Sequence, residues 1–333
     1  MRPLLHASLV NGRYGDPALY VETLFEKHAL LFDIGDISAL SPRKIHRIEH
    51  VFVSHAHIDH FIGFDLLLRV LVGREKVIGI FGPEGFIDRV RYKLQAYHWN
   101  LIDRSPLDLI FDVTEIGACG PGRTARFRLK NGFAEEKLER KTPPSGSVYS
   151  APAFRVSAAV LEHRIPCLAF ALQERLHVNV WKSRLAERGL PVGPWLQELK
   201  HAVVQERRDD HMIEVPSSQR QSARAIPLGN LRAVLTVTPG QKIGYVTDAA
   251  DTPANREAII DLVRGADLLF IEAAFTKADR ALAADRAHLT TRAAGEIALA
   301  AGARRVEPFH FSSRYEGKEK TMIAEVMAAF SRT

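Results

Sequence analysis

Cysteine is almost missing from this chain: two thiols, Cys119 and Cys167, in 333 residues. Neither sits in a C-x-x-C pair or other metal spacing, which excludes a thiolate zinc module and a disulfide framework. The pair fits a reducing cytoplasm, with both thiols expected as small core residues. Long apolar runs are missing too. The most apolar helical candidate, centred on Phe64 to Val72, carries Asp65 and Arg69 and is too short to span a bilayer. The opening residues Met1-Arg2-Pro3-Leu4-Leu5-His6 show no signal-peptide pattern. There is no low-complexity tract and no fixed-period repeat. A soluble, intracellular protein with no membrane partner is the expectation. What is present is an ordinary globular balance, 46% hydrophobic and 25% charged. The length suits two domains or one large α/β domain, and either can bury a sizeable core. A net charge of +6 and a pI near 9.3 give mild support to a polyanionic partner.

The densest chemistry is Ser54-His55-Ala56-His57-Ile58-Asp59-His60, directly after the apolar run Val51-Phe52-Val53. Imidazoles and a carboxylate leaving one strand together are the nitrogen and oxygen donors that zinc takes. Four such side chains on so short a loop do not all reach one ion, so two ions with alternate ligands are the natural reading. Elsewhere the chain repeats one device, an apolar run ending in a ligand-type residue. Phe154 to Leu161 leads to His163, Lys242 to Thr247 to Asp248, Leu268 to Ile271 to Glu272, and Arg305 to Phe309 to His310. Residues gathered at the ends of strands are how layered α/β enzymes build sites.

Helices are expected between these strands: Phe61 to Arg74, Phe86 to His98, one opened by Thr252-Pro253 and running to Val263, Thr291 to Ala301 closed by Gly302, and Glu316 to Phe330. Ala118 to Ser150, rich in Gly, Pro and charge, reads as loop with broken strands. Residues 175–232 stand apart as an insertion or protruding arm, with Gly193-Pro194-Trp195 and a basic polar stretch from Ser217 to Arg224.

In order along the chain these pieces resemble the metallo-β-lactamase superfamily, and within it the ribonuclease Z (tRNA 3′-processing endonuclease) family. Leu31-Phe32-Asp33-Ile34-Gly35 is similar to the family's first acidic motif. The His55 to His60 run with Gly63 is similar to its metal motif, and Leu161 to Pro166 to its third. Gly244 to Asp248 is similar to the bridging-aspartate motif, and His310-Phe311-Ser312-Ser313-Arg314-Tyr315 to the family's C-terminal signature. The resemblance implies an α/β (α+β) fold, a four-layer αββα sandwich formed by residues 1–333 as one hydrolase domain with the arm at 175–232. It implies two Zn²⁺ per chain, other divalent metals being acceptable. One ion would take His55, His57 and His163, the other Asp59, His60 and His310, and Asp248 would bridge them. Asp33 would support the His55 loop, and Arg314 is left between holding the C-terminal loop and meeting a phosphate.

The implied activity is a zinc-dependent phosphodiesterase that cuts tRNA precursors at the 3′ end as a cytoplasmic homodimer. A water activated by the two ions would attack, with Asp59 orienting it and His288, held by Glu272, protonating the leaving oxygen. Three departures from the family pattern stand out: Ile271 where the family has histidine, Gly35-Asp36-Ile37-Ser38 after the first motif, and Asn11 to Asp16 in place of a glycine-rich stretch. They motivate an alternative, hydrolysis of a small phosphodiester, sulfate ester or lactone on the same site. A non-catalytic binder is a third reading, and the complete ligand set opposes it.

Overall fold

The structure is a computed structural model describing residues 5–23, 28–100, 106–139, 146–175, 177–216, 223–238 and 240–331. The chain divides into two compact units, Met1–Gln173 with Gln241–Thr333, and Glu174–Gly240.

In the first unit, strands β1 (Leu5–Leu9), β2 (Leu19–Thr23), β3 (Ala29–Phe32), β4 (Ile48–Phe52), β5 (Lys76–Pro83), β6 (Leu109–Gly117), β7 (Gly120–Arg128) and β8 (Glu135–Leu138) form one sheet in chain order. Its centre, β3 to β6, is parallel. Those strands are buried on both faces, so Leu30-Leu31-Phe32 is apolar without alternation. Helices α1 (Pro42–Arg47), α2 (Ile58–Phe61), α3 (Phe64–Leu71) and α4 (Phe86–Gln95) lie between these strands in sequence. The second sheet begins with β9 (Tyr149–Ser150), β10 (Phe154–Glu162) and β11 (Pro166–Glu174).

The second unit holds β12 (His177–Val180), α5 (Lys182–Glu187), α6 (Trp195–Val204), β13 (Met212–Pro216), β14 (Ala223–Pro227), α7 (Leu228–Leu231) and β15 (Leu235–Thr238). It runs past position 232 because β15 pairs antiparallel with β12. Trp195, Leu199, Ile213, Val215 and Leu228 give it a core of its own. Within the stretch Ser217 to Arg224, residues 217–222 lie outside the described residues.

The first unit resumes with β16 (Lys242–Val246), α8 (Pro253–Val263), β17 (Leu268–Glu272), α9 (Arg280–Arg286), α10 (Thr291–Ala300), β18 (Val306–Phe309) and α11 (Glu319–Phe330). The second sheet has the order β18-β17-β16-β11-β10-β9, with β16 to β18 parallel.

Three apolar layers separate four layers of structure. One packs helices α1, α3 and α4 on the first sheet through Leu31, Val51, Phe64, Leu67 and Val90. The middle one joins the sheets through Phe32, Phe52, Phe170, Tyr245 and Phe309. The last packs α8, α10 and α11 on the second sheet through Leu269, Ile271, Ile297 and Met322. Neighbouring residues fall in different layers, as the period of two in a strand requires: Leu31 and Phe32, Val51 and Phe52, Phe270 and Ile271. The architecture is the αββα sandwich.

Several local expectations are corrected. The helix expected over Phe61 to Arg74 is two helices broken at Ile62-Gly63. At Gly63 a Cβ would lie 2.0 Å from the Gly35 carbonyl oxygen, so the chain must turn there to pass another backbone. Ala118 to Ser150 contains the nine-residue strand β7, whose buried Pro121, Ala125 and Phe127 alternate beneath the Gly, Pro and Arg content. Its Arg126 meets Asp112 directly across the ladder. Cys119 is exposed in the turn between β6 and β7, and only Cys167 is a core thiol. The helices expected over Phe86 to His98 and Glu316 to Phe330 are shorter, ending at Gln95 and beginning at Glu319.

Candidate metal centre

The parallel strands of both sheets end at one rim. Asp33 follows β3, the His55 to His60 loop follows β4, His163 follows β10, Asp248 follows β16, Glu272 ends β17 and His310 follows β18. Two of these turns take the left-handed backbone, Asp33 at φ 54° and His310 at φ 57°. Side chains seldom accept that conformation, and here it aims both residues inward.

Asp248 stands at the centre. Its Oδ2 lies 3.6 Å from His55 Nε2, 3.3 Å from His163 Nε2 and 3.5 Å from His60 Nε2, and its Oδ1 lies 2.7 Å from His310 Nδ1. His57 Nδ1 is 2.9 Å from His55 Nε2. Asp59 Oδ2 is 3.4 Å from both His60 Nε2 and His310 Nε2. Two groups of donor atoms result, each within 4.8 Å internally: His55, His57, His163 and Asp248, and beside them Asp59, His60 and His310. Asp248, Glu272, His288 and His310 meet the same criterion. Glu272 is already committed there, since its Oε1 accepts the Ala249 and Leu289 N–H groups and its Oε2 holds His288 Nδ1 at 2.9 Å.

A carboxylate or carbonyl oxygen accepts only, so a ring nitrogen hydrogen-bonded to one must carry the proton. His60 Nδ1 donates to Asp33 Oδ2 at 2.8 Å. Ser54 Oγ donates to the same oxygen at 2.8 Å and so accepts from His55 Nδ1 at 3.0 Å. His163 Nδ1 donates to the Ala287 carbonyl at 2.8 Å. In all three imidazoles Nε2 is left with a lone pair facing Asp248, the tautomer a metal ligand needs. Asp33 also accepts the Ser54 N–H at 2.6 Å and the Tyr245 hydroxyl at 2.8 Å. It grips the loop that carries His55 through Ser54 and His60.

The electrostatics agree with a site built for cations. Burial, then the neighbouring His60, pushes His55 down to about 2, so its ring is neutral. Burial and His163 push His57 down as well. Burial opposes charge on Asp59 and Asp248, but the imidazoles of His310 and His60 outweigh it and hold both carboxyls well below the usual range. Those two imidazoles are pushed up in turn: burial opposes, and Asp248 outweighs it, with Asp33 at His60 and Asp59 at His310. The carboxylates demand positive charge, which protons on His60 and His310 supply or a metal supplies in their place. Two buried nitrogens, His60 Nε2 and His310 Nδ1, have no hydrogen-bond partner although carboxylate oxygens lie close by. Orphaned polar atoms of this kind are costly unless something fills the space between them. A divalent cation fits that space and that donor set.

A cleft of about 470 Å³ opens on the cluster, lined by His57, Asp59, His163, Asp248, His288 and His310. A larger one, about 800 Å³, lies over His50 and Tyr149 and contains none of these residues. Ile271, at the family histidine's place, is fully buried in the helix-side layer with Leu269 and Val263 and does not line the cleft. Ile271 is therefore a core residue that takes no part in the rim. Arg314 is exposed. Sequence reasoning missed Tyr14, Asp16 and Arg286, which form part of the cleft wall. Asn11 to Asp16 belong there because the Phe311 N–H donates to the Arg13 carbonyl and Tyr14 packs edge-on against Phe311 at 5.4 Å. Tyr245 had one signal, a phenol on the inter-sheet face of a strand, where its hydroxyl must find a partner.

The Beta-lactamase superfamily domain matches residues 198–311, a span that takes in Asp248, Glu272, His288 and His310. Ribonuclease Z of Deinococcus radiodurans is 30% identical over 334 residues, covering 98% of this chain and 96% of its own. Ribonuclease Z of Geobacillus kaustophilus is 30% identical over 314 residues, 91% of this chain and 84% of its own. Among solved structures, the short form of human tRNase Z superposes with a TM-score of 0.54 at 19% identity, covering 93% of both chains. The metallo-beta-lactamase fold protein YhfI from Bacillus subtilis gives 0.55 at 15% identity, covering 98% of this chain and 93% of its own.

Proposed function

The chain belongs to the ribonuclease Z family, and from that premise we propose that it is a metal-dependent endoribonuclease that cuts tRNA precursors at the 3′ end. The observation that carries this reading is the pair of orphaned imidazole nitrogens on His60 and His310, set among the carboxylates of Asp59 and Asp248. His55, His57 and His163 would hold one Zn²⁺, Asp59, His60 and His310 the other, and Asp248 would reach both. Such ions, when bound, bring the pKa of water near neutrality and offset charge on a phosphate oxygen.

The chain's own groups supply the rest. Asp59, on the open side of the cluster with a side chain 37% exposed, would orient the attacking water. His288 donates its Nδ1–H to Glu272 Oε2 at 2.9 Å, and that carboxylate, which stays ionised, favours the imidazolium whose Nε2–H would protonate the leaving oxygen. Glu272 has no exposure and is fixed by two backbone N–H groups, so it holds the ring in one orientation. Family membership also supports a homodimer as the working assembly. Among the described residues no helix is long and apolar enough to cross a membrane.

The test is cleavage of a precursor tRNA by the wild type and by Asp59→Ala, with bound metal measured on both. Endonucleolytic cutting by the wild type and loss in the variant are expected. An intact precursor beside turnover of a chromogenic diester would overturn the substrate in favour of a small ester. An undiminished rate in the variant would remove Asp59 from the mechanism.

A further inference from the structure

A second pocket, about 360 Å³, lies beside the catalytic cleft at the heads of α8 and α10. Four cationic side chains line it, Arg256, Lys277, Arg280 and Arg292, against two carboxylates, Asp251 and Glu296. Both carboxylates are already committed. Asp251 accepts Arg256 Nε and Nη2, while Glu296 accepts Arg256 Nη1 at 3.1 Å and Arg292 Nε at 2.7 Å. A guanidinium has five N–H donors, so Arg256 keeps two and Arg292 keeps four after these bonds. The carboxylates orient the two forks and leave spare donors. The Glu325 carboxylate accepts the Lys277 backbone N–H at 3.1 Å, and the side chains of Lys277 and Arg280 make no ion pair among the described residues. The pocket therefore carries an excess of two positive charges, on side chains with donors still open.

Its position relates it to the site. The segment Lys277 to His288 runs from this pocket into the catalytic cleft, where Arg286 and His288 form part of the wall. Arg280 and Arg286 begin and end α9, so they are separated by about 9 Å of helix. Thr290, which caps α10 through Ala293 N–H at 3.2 Å, lines the pocket two residues after His288. No aromatic residue lines it, so it offers no face on which a base could stack. Cationic forks without a stacking surface contact the sugar–phosphate backbone and are indifferent to sequence.

We infer that this pocket is a phosphate-binding subsite for the RNA strand next to the scissile bond, with Lys277 and Arg280 as its free cations. The inference rests on the endoribonuclease reading and adds to it the place where the backbone is held. The strand crosses α9 between the subsite and the cleft, and Arg286 lies along that route. The contacts fix how far the substrate reaches into the cleft and carry no sequence information.

The test is a double variant, Lys277→Gln with Arg280→Gln, at two exposed positions where folding is not at stake. Turnover of a small chromogenic diester, which does not extend to the pocket, serves as the reference rate. The ratio of precursor to small-diester kcat/KM should fall at least tenfold, chiefly through KM. The dependence of log binding on log salt should flatten by about 1.4 for two lost contacts to a single strand. The charge-keeping pair Lys277→Arg with Arg280→Lys should retain both. An unchanged ratio and salt slope in the glutamine variant would overturn the subsite. Should the wild type itself leave the precursor intact, the RNA substrate falls. Equilibrium binding of a short single-stranded oligoribonucleotide then decides the pocket, and equal affinity of wild type and glutamine variant sinks it as well.

Discussion

Asp33→Asn removes one charge and no volume from a fully buried position. In the native protein Asp33 Oδ1 accepts the Ser54 N–H, while Oδ2 accepts Ser54 Oγ, the Tyr245 hydroxyl and His60 Nδ1, at 2.6 to 2.8 Å. All four partners are donors. Asparagine has one accepting oxygen and one donating nitrogen, so one side must fail. With the oxygen toward Oδ2, the Ser54 N–H faces an amide nitrogen and is orphaned. With the oxygen toward Oδ1, His60 Nδ1 must accept, its proton moves to Nε2, and the metal-facing lone pair is lost. Either arrangement costs about 1–3 kcal/mol in stability. For a chain of this size that is about 2–4 °C in Tm per kcal/mol. Loss of a group that orients a ligand typically weakens metal affinity about 10–100-fold. The assay is zinc content across a series of zinc-buffered solutions, with thermal unfolding of the same samples. Equal zinc affinity and equal Tm in wild type and variant would refute the assignment of Asp33 as the group that sets the tautomer of His60.

His288→Ala should slow cleavage of an ester with a poor leaving group by about 10²–10⁴-fold and spare one with a good leaving group, which needs no proton; equal losses on both would mean that His288 has another role. Removing metal with a chelator should abolish cleavage and lower Tm, and zinc should restore both, while activity that survives with no metal detectable would contradict the site. Gly63→Ala forces a Cβ to within 2.0 Å of the Gly35 carbonyl oxygen, so it should cost metal content and stability together; a variant with wild-type zinc and Tm would show that the loops give way freely. Burial, with the positive charges of His28 and Lys76, pushes His50 down to about 4. The unfolded chain binds a proton there that the fold refuses, so stability should fall by up to about 3 kcal/mol as pH drops from the usual histidine value to 4. Denaturant titrations of wild type and His50→Gln test this, and parallel pH profiles would count against it.

The candidate metal cluster was legible because its chemistry is local. An H-x-H-x-D-H run after an apolar strand advertises itself, and the other candidate ligands each sit one or two residues past a β-rich segment. Helix ends carried by caps were legible for the same reason: Thr252 and Thr290 each accept a backbone N–H of the helix they open. What failed to show was any feature set by an approach between distant segments. The break at Gly63 depends on Gly35 passing beneath it, and the amphipathic period of Phe61 to Arg74 gives no hint of it. Strand β7 hides behind glycine, proline and arginine, because the partner strand β6 makes it a strand.

By itself the sequence determined which groups are offered: the donors, their order, the alternation that sorts side chains between layers, and the family. Each of those is a property of residue type and spacing. Tertiary structure alone decided what the groups do for one another. It brought Asp33 against Ser54, Tyr245 and His60, set the tautomers of the histidines, buried Ile271 away from the rim, and placed Lys277 and Arg280 beside paired arginines. These depend on distances between residues far apart in the chain. Such distances follow from packing the whole molecule, and no short window of residues contains them.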